Sequence, residues 1–214
     1  MSPGLSIVLS LGEHTWCTNF HFHTQALAKD RPSALRNAEA RLLRELGCEG
    51  SHGIVAGKPG YFGTSLLWRW SARGTSSRID FGSDEPLPSW SWLAYPGEIS
   101  HLNTRQGEVQ WSPRFSFLRP SVSSHGNELV AHACDLDPTE IEEVVYDQPE
   151  YATRIDQNYV IVGGSTKITE AQVIYYFLLI GKATMDKYWM RLGVGMAVRK
   201  SFVSEQALMQ VALI

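Results

Sequence analysis

Apolar positions in this chain recur in two different periods, and the change between them divides it into a helical part and a longer strand-rich part. Over residues 33–46 the apolar side chains Ala34, Leu35, Ala38, Leu42, Leu43 and Leu46 recur at three- and four-residue steps, the spacing of one helix face. Pro32 and Ser33 stand at its start and Gly47 just past its end, which is how helices are punctuated. Arg36, Glu39, Arg41, Arg44 and Glu45 fill the opposite face, so the apolar stripe is expected to dock on a sheet.

Before the helix, residues 6–11 read as a short strand, and residues 12–30 carry no clear period. After it, Gly50 to Gly63 holds five glycines and a proline and reads as loop. Residues 65–70 read as a strand. From residue 89 onward the pattern predicts strands at 89–95, 98–102, 108–118, 128–134, 158–163, 171–181 and 187–198. Pro96-Gly97, Gln106-Gly107, Gly126-Asn127 and Gly163-Gly164 punctuate them. The β-branched and aromatic run from Val173 to Ile180 predicts a strand buried on both faces. Residues 207–213 read as a last edge strand or a short helix capped by Ser204. The expected fold is one α+β domain over residues 1–214: a β-rich antiparallel sandwich or partly closed barrel with an N-terminal helix packed on it. Residues 71–88, rich in Ser, Gly, Asp and Pro, are expected to be a flexible surface insertion.

The 214 residues suffice for a sizeable core. Formal charge −3, with Lys and Arg scattered, argues against a nucleic-acid-binding surface, which needs a basic stripe. The longest apolar run, residues 171–181, is about half the ~20 residues of a spanning helix. Residues 4–11 are apolar, but no basic residue precedes them and Glu13-His14 follows, unlike a signal peptide. Cys17, Cys48 and Cys134 are odd in number and widely spaced, as reduced thiols of a cytoplasmic protein are.

Chemistry-bearing patterns are few. Glu13, His14, Cys17, His21 and His23 are the densest potential ligand set, and His21 and His23 would share a strand face; no second cluster with ligand spacing accompanies them, and half-exposed edge-strand side chains are the plainer reading. No nucleophile elbow occurs, and Gly50-Ser51-His52-Gly53 reads as a tight turn. Gly57-Lys58-Pro59-Gly60 lacks the spacing of a phosphate loop, and Gly193-Val194-Gly195 reads as a kink or bulge in a strand. The acidic residues Asp135, Asp137, Glu140, Glu142, Glu143 and Asp147 read as a solvated face, with Asp137-Pro138-Thr139-Glu140 a turn or helix start. Trp90 and Trp92, two apart in Pro88-Ser89-Trp90-Ser91-Trp92, would share one face of a strand. Core wall and exposed stacking platform both fit, with core favoured because large aromatics are mostly buried. No catalytic, cofactor-binding or metal residue is assigned.

The order of segments adds a resemblance. Gly57-Lys58-Pro59-Gly60-Tyr61-Phe62, then Leu66-Leu67-Trp68, then Leu87-Pro88-Ser89-Trp90-Ser91-Trp92-Leu93, then Gly97 and Ile99 resemble the region C-terminal to the HET domain in fungal heterokaryon-incompatibility proteins. Asp30 to Leu35 is similar to the helix start before these segments, and Tyr188 to Gly195 to the family's closing strand. The HET domain itself, which the resemblance would place upstream of residue 30, is not matched, so the chain would be a truncated product, an internal fragment or a stand-alone derivative. The resemblance implies a non-enzymatic accessory or interaction role in self/non-self recognition and programmed cell death, with a protein or an upstream HET domain as partner and no cofactor. The alternatives are an enzyme or small-ligand binder recruited to secondary metabolism, using a cavity under Trp90 and Trp92, and a truncated relic that still folds.

Overall fold

The computed structural model describes residues 6–12, 15–21, 31–56, 60–70, 78–79, 87–95, 99–104, 109–112, 116–117, 129–165, 173–183, 187–199 and 209–214, with backbone alone at 6–12, 15–21, 31–35, 38, 116–117 and 199. The protein is α+β and mostly strand. In chain order the elements are β1 (Ser6–Gly12), β2 (Thr15–His21), α1 (Arg31–Leu46), β3 (Glu49–Ser51), β4 (Ile54–Ala56), α2 (Tyr61–Leu66) and β5 (Trp68–Trp70). There follow β6 (Ile99–His101), β7 (Val109–Trp111), β8 (Ser116–Phe117), β9 (Leu129–Cys134), β10 (Ile141–Tyr146), β11 (Asn158–Ser165), β12 (Val173–Lys182), β13 (Trp189–Arg199) and β14 (Met209–Leu213).

Helix α1 ends as its sequence predicts. Gly47 takes φ +61, its amide donates to the Arg44 carbonyl at 3.2 Å, and the Cys48 amide donates to the Leu43 carbonyl at 2.9 Å. These are the two bonds of a Schellman cap, which glycine permits at no steric cost. The helix docks on the two-stranded β3–β4 sheet, with Leu43 against Gly50 and the Glu39 carboxylate accepting from the Gly53 amide at 2.6 Å.

Five strands form a closed circuit. β11 pairs with β12, β12 with β13, β13 with β14, β14 with β9, and β9 returns to β11. Only the β13–β14 contact is parallel, so the barrel expectation holds with that one exception. β7 extends the sheet beyond β11, β8 beyond β9, and β10 lies antiparallel along the second half of β13. β12, whose run predicted burial on both faces, is buried on both. Tyr176, Leu178 and Ile180 fill the barrel interior with Leu129, Ala131, Val160, Val194, Val211 and Leu213, while Phe177 and Leu179 pack outward under β10 with Leu192, Tyr159 and Cys134. Gly193 and Gly195 make that outer layer possible, because a Cβ at either would collide with the Val145 or Glu143 carbonyl of β10.

Several expectations differ from the structure. Of Gly50 to Gly63, residues 50–56 lie in the β3–β4 hairpin and 61–63 in α2, with 57–59 outside the described residues, and two of its glycines seat tryptophans: a Cβ at Gly53 would enter the Trp92 ring, and one at Gly63 the Trp111 ring. The 65–70 strand shrinks to β5, and 108–118 splits into β7 and β8. Residues 89–95 are a turn followed by a 3₁₀ turn over Trp92–Ala94, so they are not a strand. β2 and β10 are strands the periodicity did not predict. Of residues 207–213, Met209–Leu213 are strand β14, and 207–208 lie outside the described residues. Of the 71–88 insertion, all but 78–79 and 87–88 lie outside the described residues. Among the described residues no helix is long and apolar enough to cross a membrane.

Gly193→Ala is expected to lose about 1–3 kcal/mol of unfolding free energy in a urea titration, the cost of overpacking a site that cannot relax. Trp90, 1 % exposed in the barrel-side cluster, is expected to lose ~3–5 kcal/mol on replacement by Ala; wild-type stability in that variant would contradict its place in the core.

Candidate functional site

The segments singled out in the sequence meet at one buried ion pair. Arg191 is 0 % and Asp147 3 % exposed. Arg191 stands beside a β-bulge: Leu192 has no partner between the register pairs Leu179↔Gly193 and Ile180↔Arg191, and bulges commonly re-aim a side chain. Its Nη1 donates to the Leu66 carbonyl at 2.9 Å, and its Nη2 to the Trp68 carbonyl at 2.5 Å and to Asp147 Oδ1 at 3.1 Å. Nε lies 3.0 Å from Asp147 Oδ2 but outside hydrogen-bond alignment. The guanidinium covers the face of Trp68, 3.5 Å from the ring centroid, a cation–π contact strengthened by desolvation. Trp68 in turn donates its indole N–H to the Trp90 carbonyl at 2.8 Å.

The Pro88–Trp92 segment wraps this junction with both hydroxyls used. Ser89 donates from its amide to the Ile214 carbonyl at 2.9 Å and from Oγ to the same carbonyl, while Oγ accepts from the Arg191 amide at 2.9 Å. Ser91 Oγ donates to the His52 carbonyl at 2.7 Å and caps the 3₁₀ turn by accepting from the Leu93 amide at 3.2 Å. The Trp92 indole donates to the Gly53 carbonyl at 2.8 Å. The two indoles part company: Trp90 enters the barrel-side cluster and Trp92 a smaller one with Trp68, Leu93, Ala94, Tyr95 and Ile99. They form walls of two clusters, and the stacking platform falls.

Electrostatically the junction is costly. Burial pushes the Asp147 carboxyl up to about 6 even though Arg191 pulls it down, and burial lowers Arg191. Burial, with help from the Arg191 charge, pushes His101 down to about 4; it lies opposite Trp68 in the β5–β6 pair. Tyr95, edge-on to Trp70, is driven far above the usual phenol range by burial first and by the Asp147 charge second. Desolvation therefore outweighs pairing at both charges, as is common for buried ion pairs. Asp147 belongs to none of the solvated acidic face expected of residues 135–147; Asp135, Asp137 and Glu142 do remain exposed. Asp137 caps the turn Pro138–Glu140, accepting from the Thr139 amide at 2.9 Å.

The hairpin turn offers the nearest approach to a nucleophile and a base. Ser51 Oγ is 2.6 Å from His52 Nδ1, and burial, with Arg36 second, lowers the His52 pKa. Its surroundings are already committed, however. Glu39 accepts from the backbone amides of His52 and Gly53, and its own pKa is raised by burial despite them. Those two amides, the donors that could stabilise an oxyanion, are therefore occupied by Glu39, while the His52 and Gly53 carbonyls accept from Ser91 and Trp92. His52, at φ +55, pays backbone strain to hold this turn.

Of the Glu13, His14, Cys17, His21 and His23 set, Glu13, His14 and His23 lie outside the described residues, and Cys17 and His21 are described only in backbone. Among the described residues no group of three or more His, Cys, Asp or Glu is placed to hold a metal, and Cys48 is a free thiol. The sequence presents Asp147 only as one of a solvated acidic set, and gives Arg191 and Ser89 no role beyond the segments they stand in. The chain matches no family model, no curated protein and no solved structure.

Two outcomes are expected. Arg191→Met leaves Asp147 buried without its counter-charge and the Leu66 and Trp68 carbonyls without their donor, and should lose ~3–5 kcal/mol in denaturant titration. For pH, the two shifted groups oppose one another. The raised pKa of Asp147 makes ionised Asp147 a cost that disappears as pH falls from about 6 toward the unfolded value near 3.8. The lowered pKa of His101 contributes stability that is lost as pH falls from 6.5 toward about 4. Each shift of two units is worth roughly 3 kcal/mol, so they nearly cancel. His101→Gln should therefore gain stability relative to the parent on acidification from pH 6.5 to 4, read as a rising difference in Tm; a constant difference would contradict the burial of the imidazole.

Proposed function

We propose that this chain is a companion region of the heterokaryon-incompatibility type and works as a non-catalytic interaction module in fungal self/non-self recognition. One observation carries the reading: the segments behind the resemblance (Leu66 to Trp68, Leu87 to Leu93 and Tyr188 to Gly195) are distant in sequence but joined through Arg191 and Ser89 into a single buried junction. Residues spent on a sealed junction serve architecture, which suits a scaffold presenting variable surface loops better than a catalyst, whose groups must meet substrate. The burial of both indoles in apolar clusters supports this reading over the alternative of an enzyme or ligand binder with a cavity beneath Trp90 and Trp92.

The test has two arms. The transcript across Met1 is read for an in-frame HET domain, and HET domains encoded separately in the same genome are titrated against the purified chain by calorimetry. An upstream domain, or saturable binding, is the expected outcome. A transcript without one, together with no binding to any of them, overturns the reading.

A further inference from the structure

The barrel is closed unequally around its circumference. β12 and β13 share ten register pairs, and β14 and β9 share five. By contrast, among the described residues, β13 and β14 share one, Trp189↔Leu213, and β11 and β9 share two. β8, β9 and β14 thus form a unit attached to the β11–β12–β13 unit at three register positions. Beside the Trp189↔Leu213 pair a side chain bridges the two strands: the Arg191 amide donates to Ser89 Oγ, and Ser89 donates from amide and hydroxyl to the Ile214 carbonyl. The Ile214 amide donates to the Trp189 carbonyl at 3.0 Å. Behind this seam lie Trp189, Val211 and Leu213, all buried.

Ser89 is also tied away from the barrel. Its turn continues into Ser91 and Trp92, which hold the carbonyls of His52 and Gly53 in the β3–β4 hairpin, and Gly53 is held by Glu39 of α1. A chain of hydrogen bonds thus runs from helix and hairpin through the Pro88–Trp92 turn to the seam. Every ladder bond along a strand pair must break together for that pair to part, so the boundary with fewest bonds opens at least cost.

We infer that the β13–β14 boundary is a latch: Ser89 closes the barrel there, and displacement of the Pro88–Trp92 turn opens the seam locally, ahead of global unfolding. The inference is independent of the proposed family role, since it concerns coupling between the hairpin and the seam whatever either binds.

Hydrogen–deuterium exchange on the full chain at neutral pH tests it. In the wild type, the amides of Ser89, Arg191 and Ile214 are expected to exchange at least about tenfold faster than those of β12. Ser91→Ala, which cuts the tie to His52 and leaves the seam's own bonds intact, should speed the Arg191 and Ile214 amides several-fold while β12 is unchanged. Trp92→Phe, which keeps an aromatic ring and loses the indole N–H bonded to Gly53, should do the same and serves if Ser91→Ala fails to fold. Exchange of the seam amides in step with β12 would overturn the latch. So would variants that leave seam exchange at the wild-type rate, or that speed β12 equally.

Discussion

A guanidinium sealed from water dictates much of this structure. Arg191 covers the face of Trp68 and pairs its donors with groups from three separated stretches: the Leu66 and Trp68 carbonyls, the Asp147 carboxylate and, from its backbone amide, the Ser89 hydroxyl. None of those stretches can shift by a residue without leaving a buried donor or acceptor unpaired, a loss of about 1–3 kcal/mol per group and more for a charge. The position of β5, the path of the chain leaving β10 and the bulge in β13 are therefore set by one side chain. That constraint fixes where the small outer cluster of Trp68, Trp92 and Tyr95 sits relative to the barrel.

The pair is an organiser more than a source of stability. Burial raises the Asp147 carboxyl and lowers Arg191, so each charge would be more at ease in water than here. What supports the arrangement is apolar: the barrel interior around Tyr176, Leu178, Ile180 and Val194, and the outer layer around Phe177, Leu179 and Leu192. Favourable burial there, on the order of 25 cal/mol per Å², carries the cost of a polar junction whose role is to exclude other registers.

How much of this was legible follows from range. α1, β9, β11, β12, β13 and β6 show in the sequence because their signals are local: a 3.6 period, a Schellman glycine, runs of β-branched residues. Trp90 and Trp92 reveal themselves as core, but the strand assigned to them does not, since the bonds that bend 89–94 into turns come from His52, Gly53 and Ile214, dozens of positions away. β10 is hidden for a related reason. Ile141-Glu142-Glu143-Val144-Val145-Tyr146 has no clean alternation, and it becomes a strand because Gly193 and Gly195 let its carbonyls lie against β13. Asp147 looks like one more surface acid until Arg191, 44 positions later, is folded onto it.

The glycines and tryptophans are two halves of one device, and only the glycine half misleads. A segment with glycines at 50, 53, 60 and 63 reads as loop because glycine disfavours regular elements. In the structure Gly53 and Gly63 are placed for what stands beside them, the rings of Trp92 and Trp111 occupying the space a Cβ would need. A chain with a high aromatic content must provide flat, side-chain-free seats if large rings are to reach close-packed density, and backbone carbonyls at such seats can accept indole N–H groups, as Gly53 does from Trp92. The Trp-x-Trp spacing and the glycine-rich stretch are then one feature written in two places. The bond between them ties the hairpin under α1 to the turn that closes the barrel, so packing demand alone produces a mechanical link between distant parts of the fold.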